Sequence, residues 1–380
     1  MHKSRYRIGR FITVCGSVIA LLIVPYVSIH AEIDPKLVSR LQKTLDDCVS
    51  KYRIAGATVA VALPDQGTWV GAGGMADRRA GTPMVPENLF RIASISKTFV
   101  AATILELAEE DVLNLEDTIE HWLPGLVPNG ENITIRHLLT HTSGLFNFTN
   151  VWFAEGNKDL DRIWQPEELV AMATAQKTVF APGSSYAYCN TGYILLGMII
   201  ETATNSPVEQ EIRRRLLDPL QLSNTFLDVR EEVPTGVAQS DAAPDPYTSL
   251  ASAAWVAGGM VSNAVDLAKW ATALYSGQVL EQASLDAMLT FAQPHTTYGF
   301  GVMKQGTLIG SAVGHTGGIT GYDSMMFYIP DTGIVIVVLV NQDSGANAIF
   351  NSIVKVLSNP ESISVTGKLA STWGSVKNQT

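Results

Sequence analysis

Two spacings of apolar residues divide the chain into helical and extended stretches. Leu37, Leu41, Leu45, Val49 and Tyr52 recur every three or four positions, which places them on one face of a helix. Asp34-Pro35 just ahead supplies a capping acid and a proline at the first helical position. The pattern then turns β-rich at Gly56–Leu63 and Thr68–Ala76, and Pro64-Asp65-Gln66-Gly67 between them predicts a hairpin. Helical spacing returns from Ser94 to Glu110. Residues 112–250 read as mostly helical and loop-like, with Thr134–Leu139, Pro166–Gln176, Thr191–Ala203 and Pro207–Leu217 as the clearest helices. Asn263–Tyr275 is a further helix that Gly277 can end. Extended character reappears at Tyr298–Met303, Tyr322–Ile329 and Gly333–Val340, with a turn at residues 330–333, and Ala346–Leu357 closes as an amphipathic helix.

Strands at both ends and helices between them predict one sheet completed by distant parts of the chain. The β runs come as hairpins and lack a regular strand-helix-strand alternation. The expected class is therefore α+β: an antiparallel sheet flanked by helices, with an inserted, mostly helical lobe. The α/β lobe falls at about residues 32–93 and 251–358, the helical lobe at about 94–250, and a flexible tail at 361–380.

The first 31 residues stand apart. Lys3, Arg5, Arg7 and Arg10 precede an apolar run from Phe11 to Val24, which Pro25 breaks, and Ile29-His30-Ala31 offers a small residue for cleavage. This arrangement predicts a secretory signal peptide and an exported, periplasmic or secreted protein. An uncleaved anchor is the alternative, because Phe11–Ile29 nearly has the length of a membrane span. With the signal removed, no stable membrane span is expected.

Composition narrows the function. Apolar residues make up 46% of the chain and charged residues 16%, enough for a large core. Asp plus Glu number 36 against 26 Lys plus Arg, and the basic N-terminus holds four of those. No basic stripe is available for a phosphate backbone, so nucleic acid is not an expected partner. Cys15 lies in the signal segment. Cys48 and Cys189 are too few for a disulfide scaffold, both are expected as free thiols, and no spacing resembles a metal site.

Three short motifs could carry chemistry. Ser94-Ile95-Ser96-Lys97 opens a helix, Tyr188-Cys189-Asn190 precedes another, and His315-Thr316-Gly317 stands before Gly318 near the returning strands. A Ser-x-x-Lys spacing puts both side chains on one helical face. A desolvated, neutral lysine can then take the proton from the serine hydroxyl. The spacing alone is weak evidence, because Ser352-Ile353-Val354-Lys355 matches it equally in the last helix, where Lys355 is expected to face water.

Taken in order, the three motifs resemble those of the penicillin-recognising serine hydrolases, the β-lactamases and penicillin-binding D-alanyl-D-alanine peptidases. Tyrosine in the second motif resembles the branch of class C β-lactamases and exported D-alanyl-D-alanine carboxypeptidases. Phe90–Leu115, His137–Leu145, Trp255–Ala271 and Gly314–Tyr322 are similar to that branch too, so the likeness covers about residues 36–357. It implies an active site in the cleft between the two lobes, an acyl-enzyme on Ser94, and no metal or cofactor. Lys97 and Tyr188 would share general-base and general-acid duty. Asn190 would hold the substrate amide, and His315 would serve Tyr188 or a substrate carboxylate. The Thr316-Gly317-Gly318 strand would line the site, with Ser94 and Gly318 N–H groups as the oxyanion hole, and Trp255 would line the acyl pocket.

Met303 and Lys304 stand where related carboxypeptidases place an arginine for the substrate carboxylate, with Lys304 as the candidate contact, and Gly318 stands where they often carry a hydroxyl. The substrates implied are small molecules or peptides: D-alanyl peptides, β-lactams or esters. A D-alanyl-D-alanine carboxypeptidase is the first expectation. A β-lactamase, an esterase or D-aminopeptidase, and a non-catalytic cell-wall peptide-binding protein are the alternatives. His121, His137, His141 and His295 are expected to be structural or surface residues.

Overall fold

The computed structural model describes residues 33–154, 159–243, 247–292 and 297–359. The predicted signal segment, the 361–380 tail and His295 lie outside the described residues. Ten strands are present among the described residues: β1 (Gly56–Leu63), β2 (Gly67–Asp77), β3 (Thr82–Pro83), β4 (Phe90–Arg91), β5 (Phe226–Leu227), β6 (Met260–Ser262), β7 (Met303–Thr307), β8 (Gly310–Ile319), β9 (Tyr322–Ile329) and β10 (Ile334–Val340). Seven of them form an antiparallel sheet in the order β3-β2-β1-β10-β9-β8-β7, so strands from opposite ends of the sequence meet at its centre. The register there runs from Ala57↔Val340 to Ala62↔Val335. A second sheet, β4-β6-β5, ties the segment before Ser94 to residues 260–262 and 226–227.

The sheet is covered on both faces, which explains the unbroken Val/Ile/Leu run of β10. One face packs against the helices Pro35–Tyr52 and Ala346–Leu357. The other packs against Ala264–Tyr275 and merges with the helical core. The first helix starts as its sequence dictates, with the Asp34 carboxylate accepting the Lys36 N–H at 2.9 Å. Its buried face is Leu37, Leu41, Leu45 and Cys48, while Tyr52 is exposed. At 3.6 residues per turn the stripe drifts, so Cys48 replaces Val49 as its last buried member. Each leucine so buried contributes about 1.5–3 kcal/mol. Cys48 and Cys189 are both free and buried.

The predicted strand at Tyr298–Met303 differs from the structure. Tyr298 makes only an isolated bridge to Met303, and the strands are β7 and β8. Glycines at 306, 310, 314, 317 and 318 hide both strands from a reading based on apolar runs. At two of them, Gly314 and Gly317, the backbone of a neighbouring segment packs too tightly for a side chain. A side chain at Gly314 would lie 1.9 Å from the Met326 carbonyl oxygen, and one at Gly317 2.2 Å from that of Ile92. The second contact lets β8 run directly beside the turn that carries Ser94. Among the described residues no helix is long and apolar enough to cross a membrane.

Candidate active site

Ser94 sits in a 3₁₀ turn, Ala93–Ile95, that leads into the helix Ser96–Glu109. The turn is held from several sides. Ala93 has a left-handed φ of 48°. Ser96 Oγ donates to the Ala93 carbonyl at 2.7 Å and accepts the Met260 N–H at 3.2 Å. Ser324 Oγ donates to the Ile92 carbonyl at 2.9 Å. A non-glycine residue in this conformation persists only where its surroundings over-determine it, and here they do.

One turn on, Lys97 is completely buried. Its Nζ lies 3.1 Å from Ser94 Oγ, 2.8 Å from Asn190 Oδ1 and 2.5 Å from the Ala257 carbonyl oxygen. Burial pushes its pKa well below the ordinary lysine value, and no carboxylate is among the causes that oppose this. A neutral amine has two N–H groups and one lone pair. With Asn190 and Ala257 offering only acceptors, the lone pair is left for the Ser94 hydroxyl proton. Tyr188 hydrogen-bonds Ser94, and burial raises its pKa, so it rests as a neutral phenol.

The helix Asn190–Thr204 delivers Asn190 at its first residue. Asn147 Oδ1 accepts the Asn190 N–H at 3.1 Å, and Thr191 Oγ1 donates to the Phe146 carbonyl at 2.8 Å. The three sequence motifs therefore do converge, with Ser94, Lys97 and Asn190 in one hydrogen-bonded cluster and Tyr188 against Ser94.

The third motif behaves differently from its expected role. The His315 ring hydrogen-bonds Tyr298 Oη through Nε2 at 3.0 Å and the Thr316 carbonyl through Nδ1 at 2.5 Å. Its centroid stays 6.3 Å from that of Tyr188. Burial pushes the His315 pKa down to about 3. It is a neutral histidine with both nitrogens engaged, and it offers neither charge nor proton to a carboxylate. Thr316 pairs with Met325, a member of the core on the far face of the sheet, and its hydroxyl meets Met303 Sδ at 3.5 Å.

Two further expectations are corrected. Trp255 does not line the cavity at Ser94. Its indole packs against Gly197, where a Cβ would come within 2.9 Å of the ring. The cause is a break in the helix Thr248–Gly258, where Trp255 takes φ 37° and ψ −133°. Lys304 is exposed on β7, with Nζ 5.5 Å from the Phe291 ring centroid. Among the described residues no hydrogen bond or ion pair joins it to Ser94, Lys97, Tyr188 or His315.

A cavity of about 80 Å³ opens beside Ser94. Its described lining includes Phe148, Trp152, Phe153, Leu250, Ile319 and Gly318, together with Asn190 and several alanines, and none of it is charged. Sequence spacing could not identify this apolar wall, because it comes from two helices and a strand end.

His141, expected as structural or surface, is in fact buried against the site. Its ring centroid is 4.3 Å from that of Tyr188, and its carbonyl accepts the Ala187 N–H at 3.1 Å. The available signal was its place inside the stretch 137–145 that resembled the family. His137 is structural, capping the helix Ile135–Leu139, and His121 is in the last turn of a short helix at 119–122. No group of three or more histidine, cysteine or acidic side chains that could hold a metal occurs among the described residues.

A serine next to a buried, desolvated lysine, in a cleft between a covered antiparallel sheet and a helical lobe, is the arrangement of the penicillin-recognising hydrolases. The pattern of the beta-lactamase family matches residues 41–355, and the chain belongs to that family. It is 30% identical over 294 residues to penicillin-binding protein 4* of Bacillus subtilis (strain 168), covering 71% of this chain and 64% of that protein. It is 33% identical over 227 residues to the esterase EstB of Burkholderia gladioli, covering 55% and 56%. The chain thus spans about six-tenths of the length of these curated relatives. Among solved structures it superposes on D-amino acid amidase from Ochrobactrum anthropi SV3 with a TM-score of 0.78 at 28% identity, covering 86% of this chain and 99% of that one. The family is one of hydrolases that includes penicillin-binding proteins, esterases and amidases.

Proposed function

We propose that the protein hydrolyses esters and amides through an acyl-enzyme on Ser94, taking substrates with an apolar acyl group and a leaving group that carries no carboxylate. The observation that supports this reading is the meeting of the Ser94, Lys97 and Tyr188 cluster with an uncharged, mostly apolar cavity. In acylation Lys97 takes the Ser94 proton as Oγ attacks the carbonyl, and Tyr188 gives its proton to the departing nitrogen or oxygen. The backbone N–H groups of Ser94 and Gly318 receive the oxyanion. In deacylation water attacks the ester, its proton passes to the Tyr188 phenolate, and Lys97 returns its proton to Ser94 Oγ. Both groups end as they began.

The specificity follows from charge. A terminal carboxylate is usually met by a cation, often arginine in bidentate contact. His315 is neutral here, Lys304 is turned to Phe291, and burial of Lys97 disfavours its charged form. A D-alanyl-D-alanine carboxypeptidase is therefore the less supported reading within the family. Export to the periplasm or medium remains part of the proposal, on the basic and apolar character of residues 1–31.

The test uses one short apolar peptide as its C-terminal methyl ester, its amide and its free acid. The ester and amide should exceed the acid in kcat/KM by about tenfold or more, a difference of ~1.4 kcal/mol. Preference for the free acid would restore the carboxypeptidase reading. Fast turnover of a β-lactam without ester or amide cleavage would make the protein a β-lactamase. No turnover of any of these would favour a binding protein.

A further inference from the structure

A chain of hydrogen bonds crosses the floor of the site from the second motif to the third, and its proton positions are determined from both ends. At one end the Cys189 backbone N–H donates to His141 Nδ1 at 3.2 Å. A backbone N–H cannot accept, so His141 Nδ1 carries the lone pair and Nε2 carries the proton of the neutral ring. That Nε2 is 3.0 Å from Tyr298 Oη. At the other end the Thr316 carbonyl can only accept, so His315 Nδ1 carries the proton and Nε2 the lone pair. His315 Nε2 is also 3.0 Å from Tyr298 Oη. The Tyr298 hydroxyl must then accept from His141 and donate to His315. Tyr193, whose hydroxyl also neighbours Tyr298, donates its proton to the Leu139 carbonyl at 3.0 Å.

The ends of this chain matter for the reaction. His141 holds the residues on both sides of Tyr188, taking the Ala187 N–H on its carbonyl and the Cys189 N–H on its ring. Its backbone is held in the left-handed region at φ 58°, and its ring underlies that of Tyr188. The other end sits on β8, the strand that passes beside the Ser94 turn.

We propose that His141 and Tyr298 are positioning residues that set the distance between Tyr188 and the β8 strand and lock His315 as an Nδ1–H tautomer whose proton points away from the substrate. This inference rests on the reading of Ser94 and Tyr188 as the reacting pair, and it extends to two residues that contact no reacting atom. It explains why the third motif can carry a histidine without offering a titrating group to the cleft. Aligned hydrogen bonds of this kind are cooperative, so loss of the central hydroxyl is felt at both ends.

The experiment has two parts, and the first needs no substrate. Nitrogen-15 spectra of the histidine rings in the resting full-length protein at pH 7 should show opposite tautomers, Nε2–H for His141 and Nδ1–H for His315. A cationic His315, or the same tautomer at both positions, overturns the proposal whatever the substrate class proves to be. The second part is Tyr298→Phe, which removes one oxygen and keeps the ring. On the best ester it should lower kcat by about ten- to a hundredfold, as expected for a displaced catalytic group, with KM within about twofold. The His141 Nε2–H signal should move at the same time. A Tyr298→Phe enzyme with wild-type kcat overturns the positioning role, even where its Tm falls, because the chain would then be a folding brace only.

Discussion

The same four-residue spacing occurs twice in this molecule and does two different things. At Ser94 and Lys97 the spacing lies at a helix entrance where strand, helix and loop converge. The lysine loses all solvent, and its amine lies within hydrogen-bond distance of Ser94 Oγ, Asn190 Oδ1 and the Ala257 carbonyl. At Ser352 and Lys355 it lies in the middle of the last helix. There the serine hydroxyl returns to the Ala348 carbonyl at 2.8 Å, and the lysine points into water. In both places the side chains share a helical face. Burial separates the two, since it pushes the pKa of one lysine well down and leaves the other solvated. A serine becomes a nucleophile through the environment of its neighbour.

The largest expected effect tests that contrast directly. Ser94→Ala should lower ester hydrolysis on the order of 10³-fold or more, while Ser352→Ala keeps wild-type kcat/KM. Comparable losses at both positions would break the comparison. Next, Lys97→Ala should cost roughly 10²–10⁴-fold in kcat, and Lys355→Ala nothing measurable. The lysine also has a pH signature. The unfolded chain holds a proton on Lys97 up to its ordinary pKa, whereas the folded protein releases it earlier. Between the two values stability rises with pH, and this slope should vanish in Lys97→Met when unfolding is followed by denaturant titration. For the same reason kcat/KM should climb with pH to a plateau above the folded-state pKa of Lys97.

Asn190→Ala removes one of the two acceptors that orient the amine, and about a tenfold fall in kcat is expected with the fold unchanged by circular dichroism. His315 gives a smaller effect, confined to acid. Its folded pKa of about 3 lies below the ordinary value, so its contribution to stability is complete above about pH 6.5 and is lost as pH falls toward 3. Wild-type unfolding free energy should therefore decline by up to ~1.4 kcal/mol per pH unit in that window from this group, and the decline should be shallower in His315→Asn. An identical slope in the variant would show that His315 is not held neutral. Lys304→Ala should be the mildest of all, with kcat/KM on esters and amides within about twofold of wild type. A selective loss on peptides with a free carboxylate would return Lys304 to the site.

Much of this was legible from spacing. The capped first helix, the β1–β2 hairpin, the central helices and the closing helix follow the apolar periodicity, and the three motifs mark Ser94, Lys97, Tyr188 and Asn190. What spacing could not show has a common cause. β8 was hidden because close backbone approach at Gly314 and Gly317 requires glycine, which carries no apolar signal, and β7 because Met303-Lys304-Gln305-Gly306-Thr307 is mostly polar. The Ala257 carbonyl that orients Lys97 is backbone, and any residue could supply it. Trp255 was expected in the acyl pocket, but a break in its helix turns the ring toward Gly197. His141 and His315 looked unlike in the sequence, one isolated and one in a motif, yet Tyr298 joins them through a contact 157 positions long on one side and 17 on the other.

The central claim is that burial of Lys97 makes Ser94 the reactive serine. Incubation of the protein with a fluorophosphonate probe, followed by mass spectrometry of proteolytic peptides, tests it most directly. A single adduct on the peptide containing Ser94, lost in Ser94→Ala and strongly slowed in Lys97→Ala, is the result expected. An unmodified protein, an adduct on Ser352, or Ser94 labelling that proceeds at the wild-type rate in Lys97→Ala would contradict it.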